Sequence, residues 1–497
     1  MNVIVGGGVV GLSIAWRLAR EGLPVTVVDP APGRGASYAA AGMLAPVSEV
    51  AYTEEPLLRL GAASLRRWPS FAAELAADAG LGPDLGAGPG AGLGTGLSGG
   101  PGGGAGGGAG EAFGGAFGMI GPQGAGGRAL DLRADGTLDV AFGADDLAAL
   151  DDLAAFMDKL GLRVERLTGR ECRRLEPMLA PSVRGGLLAP GDAWVDPRRV
   201  TAALLAALDR LGVPVVRARV TGLLRDDDAV PDAVPDAVAG AGTSPWSSSG
   251  TGGAVTGVRL EPVPGQPEPA VREIAAERVV LAAGAWSGEL ADVPVRPVKG
   301  QIMRLRSAQP LLGRCVRGTV HGTPVYLVPR GDGELVLGAT QEELGFDTRV
   351  TAGGLYELLR DARELVPGVT ELEVADVVAG LRPGTPDNLP IIGAGEAPGL
   401  VLATGHHRGG VLLAPLTAAL VTAAVLTPPA TPPAATTAPP ATARTGTQTA
   451  ARTAAQTAVL STRLSTGAQL SAGAGILTGE EGELAALCSP ARFRDIS

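Results

Sequence analysis

Cysteine and histidine are both scarce in this 497-residue chain, with three of each. Cys172, Cys315 and Cys488 are far apart, odd in number and without a C-x-x-C pair, which excludes a disulfide framework and fits a reducing compartment. His321, His406 and His407 stand at no ligand spacing with a carboxylate or cysteine, so no metal site is expected. Runs of positive charge are missing too. The net charge is −10, and short pairs such as Arg66 and Arg67 or Arg198 and Arg199 form no basic stripe, so no nucleic-acid partner is indicated. No basic region precedes the apolar N-terminus, whose first charge is Arg17, so export is not expected and a cytoplasmic location is. The one candidate membrane span, Gly410 to Leu426, is at the short limit of about 17 residues and carries Pro415 and many alanines. It reads as a buried core helix, and no membrane association is expected.

Glycine and proline, by contrast, are abundant at 76 and 40 residues, and they are concentrated. Segments 82–127 (Gly and Ala), 226–270 (Asp, Ala, Pro, Ser and Gly) and 427–475 (Ala, Thr and Pro) lack apolar periodicity. They cannot offset their ordering entropy by burial, so they are expected to be disordered insertions, with a binding or regulatory role as the alternative.

The most informative stretch is VIVGGGVVGLSIAWRLAREGLPVTVVD, residues 3 to 29. Val3 to Val5 form an apolar run suited to a buried parallel strand, and Gly6, Gly8 and Gly11 fit the G-x-G-x-x-G pattern. Gly6 permits the tight turn, Gly8 lets backbone N–H groups approach a pyrophosphate, and Gly11 allows close packing of the helix on the strand. Val9 and Val10 open that helix, whose N-terminus faces the phosphates. After Gly22, a second strand leads to Asp29 and Pro30. Asp29 lies 18 positions past Gly11, close to the roughly 20 expected of an acid that binds ribose hydroxyls. The pattern predicts a dinucleotide-binding unit, and Asp29 disfavours a 2′-phosphate.

The stretches beyond Asp29 bear on which dinucleotide is bound. In GRGASYAAAGMLAP, residues 33 to 46, the small residues Ala39, Ala40, Ala41 and Gly42 leave room for a flat ring against the backbone, an ordinary Ala-rich loop being the alternative, and Ala36, Ser37 and Met43 of the same stretch are expected at the cofactor with them. ERVVLAAGAWS, residues 277 to 287, reads as a core strand ending in Ala282, Ala283 and Gly284. From Leu400 the pattern repeats as a strand, the turn Gly405, His406, His407, Arg408, Gly409, Gly410, and a helix opening with Val411 and Leu412. That helix start is expected near the cofactor, where its partial positive charge can stabilise negative charge.

Together GGGVVGLSIAWRLA, AAAGMLAP, PVYLVPR with LVLGAT, AGLRPGTPDNLPIIG and GHHRGGVLLAP make the chain resemble the FAD-dependent amino acid oxidases of the D-amino acid oxidase and sarcosine oxidase superfamily, and within it the glycine oxidase family of thiamine biosynthesis. The resemblance spans the chain apart from the three biased segments. It implies that Arg382 holds the substrate carboxylate, a task suited to a planar fork of donors, against the alternative of a structural arginine tied to backbone carbonyls. It implies that Arg408 lies near the substrate, with contact only to flavin or solvent as the alternative, and that Tyr326 lines the active site, with a core tyrosine as its alternative, and it puts Val220 near the adenine. Pro324 and Gln341 depart from some relatives, which carry a polar and an apolar residue there. Where covalent sarcosine oxidases carry their attachment cysteine this chain has Gly380, so non-covalent FAD is expected, Cys315 being the remaining candidate for attachment.

The expected fold is α/β: a discontinuous FAD-binding Rossmann-like domain with a parallel sheet, of the glutathione-reductase-like type, from residues 1–81, 145–225, 271–292 and 373–426, plus a mostly antiparallel substrate domain from 128–144 and 293–372. Residues 476–497 form a C-terminal segment. The implied reaction is oxidation of glycine or another small amine by hydride transfer to flavin, with oxygen as acceptor, giving glyoxylate, ammonia and hydrogen peroxide. A homo-oligomer and a link to thiazole synthase are also expected. Two alternatives stay open: a sarcosine or D-amino acid oxidase or dehydrogenase of the same superfamily, and a nucleotide-binding scaffold with a vestigial flavin.

Overall fold

The computed structural model describes residues 1–49, 54–82, 125–229, 253–266, 268–426 and 479–493. The apolar run at the N-terminus forms the strand Asn2–Val5, buried on both faces as its composition requires. It lies inside a six-stranded sheet in the order Ile391–Ala394, Leu400–Thr404, Arg278–Leu281, Asn2–Val5, Val25–Val28, Val215–Val216. All neighbours run parallel except the edge pair Ile391–Ala394 and Leu400–Thr404. Alternation along the strands sends Ile4, Val27, Val280 and Val401 to one face, against the helices Val9–Arg20, Pro197–Arg210 and Gly410–Leu426. Val3, Val5, Val279 and Leu281 go to the other, against a three-stranded antiparallel sheet of Ala218–Arg225, Val255–Pro262 and Glu273–Ala275.

The second sheet has eight strands, Glu373–Gly384, Arg296–Arg306, Glu334–Gly338, Thr323–Pro329, Cys315–Val320, Thr137–Ala141, Gly185–Ala189 and Glu165–Thr168 in spatial order. Only Cys315–Val320 and Thr137–Ala141 pair parallel, so the sheet is mostly antiparallel, as expected. The helix Ala352–Leu365 packs on one face through Leu358, Ala362 and Leu365. Gly410–Leu426 is apolar all round and buried over most of its surface, Ala419, Thr422, Ala424 and Leu426 being partly exposed. The stretch His407–Leu426 is long and apolar enough to cross a membrane, but here it packs against the first helix.

Four expected ranges change. Glu165–Thr168, Gly185–Ala189 and Glu373–Gly384, assigned from sequence to the cofactor domain, pair into the eight-stranded sheet. Their hydrogen-bond partners are remote in sequence, so no local pattern could assign them. Val255–Pro262, inside segment 226–270, is a strand with Val255, Val258 and Leu260 buried. Register shifts at Val255/Gly257 and Arg259/Leu260 break the two-residue period that would have announced it. Segment 82–127 ends within a helix, Ala125–Ala129, while 83–124, 230–252 and 427–475 lie outside the described residues. In the C-terminal segment, the helix Gly479–Leu487 docks on the helix Glu55–Leu65 and the turn that ends it, through Arg59–Glu483, Arg66–Glu480 and Arg67–Glu481, and buries Leu484.

Candidate active site

A cavity of 790 Å³ runs between the two sheets and has two chemically distinct ends. Gly6, Gly8, Val9, Val10, Asp29, Pro30, Ala36, Ser37 and Val220 line one end, as expected from sequence. Gly6 has φ 110°, and a Cβ there would sit 2.2 Å from the carbonyl oxygen of Ala282. Gly11 does not line the cavity; its Cβ would fall 1.9 Å from the carbonyl oxygen of Gly6, so it holds helix to turn, the packing task its spacing suggested. Asp29 accepts the N–H groups of Gly7 and Ala31, both at 2.7 Å, and so braces the turn. Each carboxylate oxygen keeps a further lone pair for a ribose hydroxyl. Burial raises the Asp29 pKa against the pull of those two amides. Ser37 accepts the Val9 N–H at 2.9 Å, capping from a distance a helix whose own cap residue, Gly8, has no side chain. Arg34 and Arg219 also line this end and were not singled out from sequence, where isolated arginines carry no signal.

The middle of the cavity is walled by minimal side chains. Ala41, Gly42, Met43, Gly284, Gly300 and Gly380 all line it. Gly42, at φ 78°, could carry a Cβ only 2.1 Å from the Val195 carbonyl oxygen, and a Cβ on Gly380 would meet that of Ala39 at 2.8 Å. Such a slot suits a flat ring system. Cys315 is fully buried with its Sγ 3.7 Å from Met43 Sδ, and it does not line the cavity.

Arginine dominates the far end. Arg382, Arg408 and Arg317 all line it, with Tyr326, Glu49, Thr340, Gln341 and His407. Arg408 is neutralised by Glu54, which also accepts from Asn388, and donates to the Glu49 carbonyl at 3.1 Å. Arg317 is 3.6 Å from Asp139 and donates to the Ser48 carbonyl at 2.7 Å. Burial opposes its charge, but Asp139 and Glu49 outweigh burial and raise its pKa. Arg382 differs from both. Its Nη1 donates to two backbone carbonyls, Lys299 at 3.4 Å and Thr340 at 3.2 Å, and among the described residues it has no carboxylate partner. The two sequence readings of Arg382 thus describe the same residue, which is tied to carbonyls and faces the cavity.

Burial pushes the Tyr326 hydroxyl up to about 12, so it stays protonated at neutral pH. His407, at φ 45°, is pushed down to about 4 by burial and by Arg408 and Arg382. His406 falls to about 3 through burial, and its Nε2 is 2.9 Å from Thr417 Oγ1. Both rings are therefore neutral, and the positive potential here is that of the arginines. Gly410 and Val411 line the cavity, whereas Gly405, Gly409 and Leu412 do not, lying behind the turn. Pro324 and Gln341 sit on exposed positions of the wall. Arg317 and Glu49 were missed from sequence; a charged residue in the otherwise apolar and small run CVRGTV was the available sign for the first.

A comparison with known families matches residues 2–85 and 123–424 to the family described as FAD dependent oxidoreductase. The glycine oxidase of Geobacillus kaustophilus is 30% identical over 422 residues, covering 83% of this chain and 89% of that protein. The bifunctional protein ThiO/ThiG of Trichormus variabilis is 31% identical over 418 residues, 84% of this chain but 51% of that protein. The chain thus spans about half the length of the bifunctional relatives it matches. Among solved structures, glycine oxidase from Geobacillus kaustophilus superposes with a TM-score of 0.65 at 29% identity, over 85% of this chain and 94% of that one.

Proposed function

The chain belongs to the FAD dependent oxidoreductase family, and from that premise we propose that it oxidises the amine of small amino acids, glycine foremost. The residues present fit FAD: the turn at Gly6 and Gly8 and the N-terminus of Val9–Arg20 would hold the pyrophosphate, Asp29 the ribose, and the glycine-lined slot the ring. When bound, FAD takes two electrons from the substrate Cα–N unit and delivers them to oxygen. The cofactor would be held without a covalent bond, since Gly380 offers no side chain and the Cys315 thiol lies off the cavity wall.

One observation carries this reading: Arg382 alone among the three arginines at the far end lacks a carboxylate partner among the described residues. A cation held by carbonyls beside a cavity is suited to a substrate carboxylate, which its fork can grip with two parallel bonds. Fixing the carboxylate fixes the direction of the Cα–H bond, so orientation supplies much of the catalysis. Tyr326, protonated, narrows the same end. The amine must be neutral to be oxidised, a form that the uncommitted cation of Arg382 favours and the Glu49 carboxylate on the same wall opposes. Glycine, water and oxygen are consumed, and glyoxylate, ammonia and hydrogen peroxide are formed.

We also infer a supply role toward thiazole synthesis, supported by relatives named ThiO/ThiG in which a matching stretch and a second unit share one chain. Anaerobic mixing of the holoenzyme with glycine, sarcosine, D-alanine and D-proline tests the main reading. Bleaching of the flavin by glycine, with peroxide on admission of oxygen, is expected. Bleaching by sarcosine or D-proline alone would replace glycine as substrate, and no bleaching by any of the four would leave the vestigial-flavin scaffold.

A further inference from the structure

We propose that Lys299 and Glu342, an ion pair on the side of the eight-stranded sheet turned away from the cavity, are positioning residues that hold Arg382 in place for a substrate carboxylate. The proposal rests on Arg382 being the group that binds that carboxylate. Along Arg296–Arg306, Gly300 and Ile302 line the cavity, so alternation sends Lys299 and Gln301 to the opposite face, where Gln301 meets Gly354 of the helix Ala352–Leu365. Lys299 is fully buried there, with Nζ 3.3 Å from Glu342 Oε2 and 3.9 Å from Asp347 Oδ2. A buried ammonium is tolerated only with such partners, and removing one of them is costly.

The pair is the centre of a clasp. Lys299 and Glu342 exchange backbone hydrogen bonds at 2.8 and 3.0 Å. Glu342 Oε1 accepts from Gln301 Nε2 at 2.8 Å and from Thr340 Oγ1 at 2.6 Å, and Thr340 Oγ1 accepts the Gln301 N–H at 2.8 Å. Gln301 also ties down Thr351, at the start of the helix. Every bond in this set fixes one of two stretches, the strand at Lys299 or the segment at Thr340, and the two carbonyls that hold Arg382 belong to Lys299 and Thr340. The charge pair behind the sheet therefore sets the spacing of the oxygens in front of it. Arg382 also packs directly on Gly300, where a Cβ would lie 2.4 Å from its guanidinium, so a shift of that strand moves the surface it rests on.

The test is binding of acetate, which has the carboxylate of glycine and no amine to oxidise, followed as a change in the visible flavin spectrum of the holoenzyme. Lys299→Met and Glu342→Gln are each expected to weaken acetate by about tenfold, the equivalent of one charge-assisted hydrogen bond, and to raise KM for glycine alike with kcat and FAD affinity within about twofold. Glu342→Asp, which keeps the charge, is expected to recover part of the loss. Arg382→Lys is measured alongside. Acetate binding that survives Arg382→Lys would sink the reading of Arg382. If Arg382→Lys weakens acetate while Glu342→Gln, folded and loaded with FAD, leaves it unchanged, the positioning role falls and the reading of Arg382 stands. Should Lys299→Met fail to fold, Glu342→Gln decides, since Glu342 is partly exposed and retains its hydrogen-bonding shape as glutamine.

Discussion

The two ends of the cavity are made of different materials. The nucleotide end is backbone and small side chains, with Gly6 pressed so closely that its nearest wall is the main chain of Ala282. The substrate end is long charged side chains, and each of its arginines is held by groups distant in the sequence: Arg408 by Glu54, Arg317 by Asp139 and Ser48, Arg382 by Lys299 and Thr340. A surface of main chain tolerates no added atoms and is set by local sequence. A surface of side chains can be retuned one partner at a time, which lets one scaffold keep its cofactor while its substrate changes.

The contrast is broken most severely at the nucleotide end. Gly6→Ala puts a methyl 2.2 Å from the Ala282 carbonyl in a left-handed conformation, so we expect loss of FAD by at least about a hundredfold in Kd, with overpacking costing roughly 1–3 kcal/mol of stability. Equilibrium titration of the apoprotein with FAD measures it, and near-native affinity would show that the turn can yield. Arg382→Lys comes next. It should keep the yellow colour and lose about 1.5–3 kcal/mol of transition-state binding, read in kcat/KM for glycine. Wild-type kinetics in that variant would remove Arg382 from the site.

The third prediction tests how the substrate end is braced. Asp192, fully buried, accepts the N–H groups of Val47 and Ser48 at 3.2 and 3.1 Å, and so supports the segment whose Ser48 carbonyl holds Arg317. Burial raises its pKa from 3.8 to about 7, despite those bonds and nearby Arg317. The folded protein then binds a proton that the unfolded chain has released, so stability falls as pH climbs from about 4 to about 7 and levels above that. Asp192→Asn removes this contribution. The difference in Tm between wild type and variant should change by several degrees across that window, and a difference independent of pH would mean that Asp192 stays ionised in the fold.

The smallest effect is expected at Glu54. Glu54→Gln releases Arg408 from its counter-charge, adding a second available cation to the substrate end. Acetate should bind more tightly, by less than about fivefold because the site is partly open to solvent. A weaker grip on acetate would show instead that Arg408 needs Glu54 to stay in position.

Much of the nucleotide end is legible in the sequence. Its turn can be read because strand, glycines, helix and Asp29 are contiguous, and because φ 110° at Gly6 is a conformation that selects the residue type directly. Ser37, expected at the cofactor from the stretch after Asp29, and Val220, placed near the adenine by resemblance, both line the cavity. Gly405, Gly409 and Leu412 were carried along by the same motif and lie behind the wall, because a motif marks a stretch of chain and only its geometry decides which residues face the ligand. Arg317 and Glu49 were missed since nothing local distinguishes a charge that faces a cavity from one that faces water.

Amino-acid order alone determined the parallel cofactor sheet, the dinucleotide turn, the apolar helix Gly410–Leu426 and the presence of an arginine at position 382. These depend on periodicity and on the backbone freedom of single residues, which act over a few positions. The tertiary structure decided which sheet received Glu165–Thr168, Gly185–Ala189 and Glu373–Gly384, and that Arg382 alone of three arginines keeps its charge uncommitted to a carboxylate among the described residues. Strand pairing and charge neutralisation depend on distances between groups far apart in the chain, and those distances exist only once it has folded.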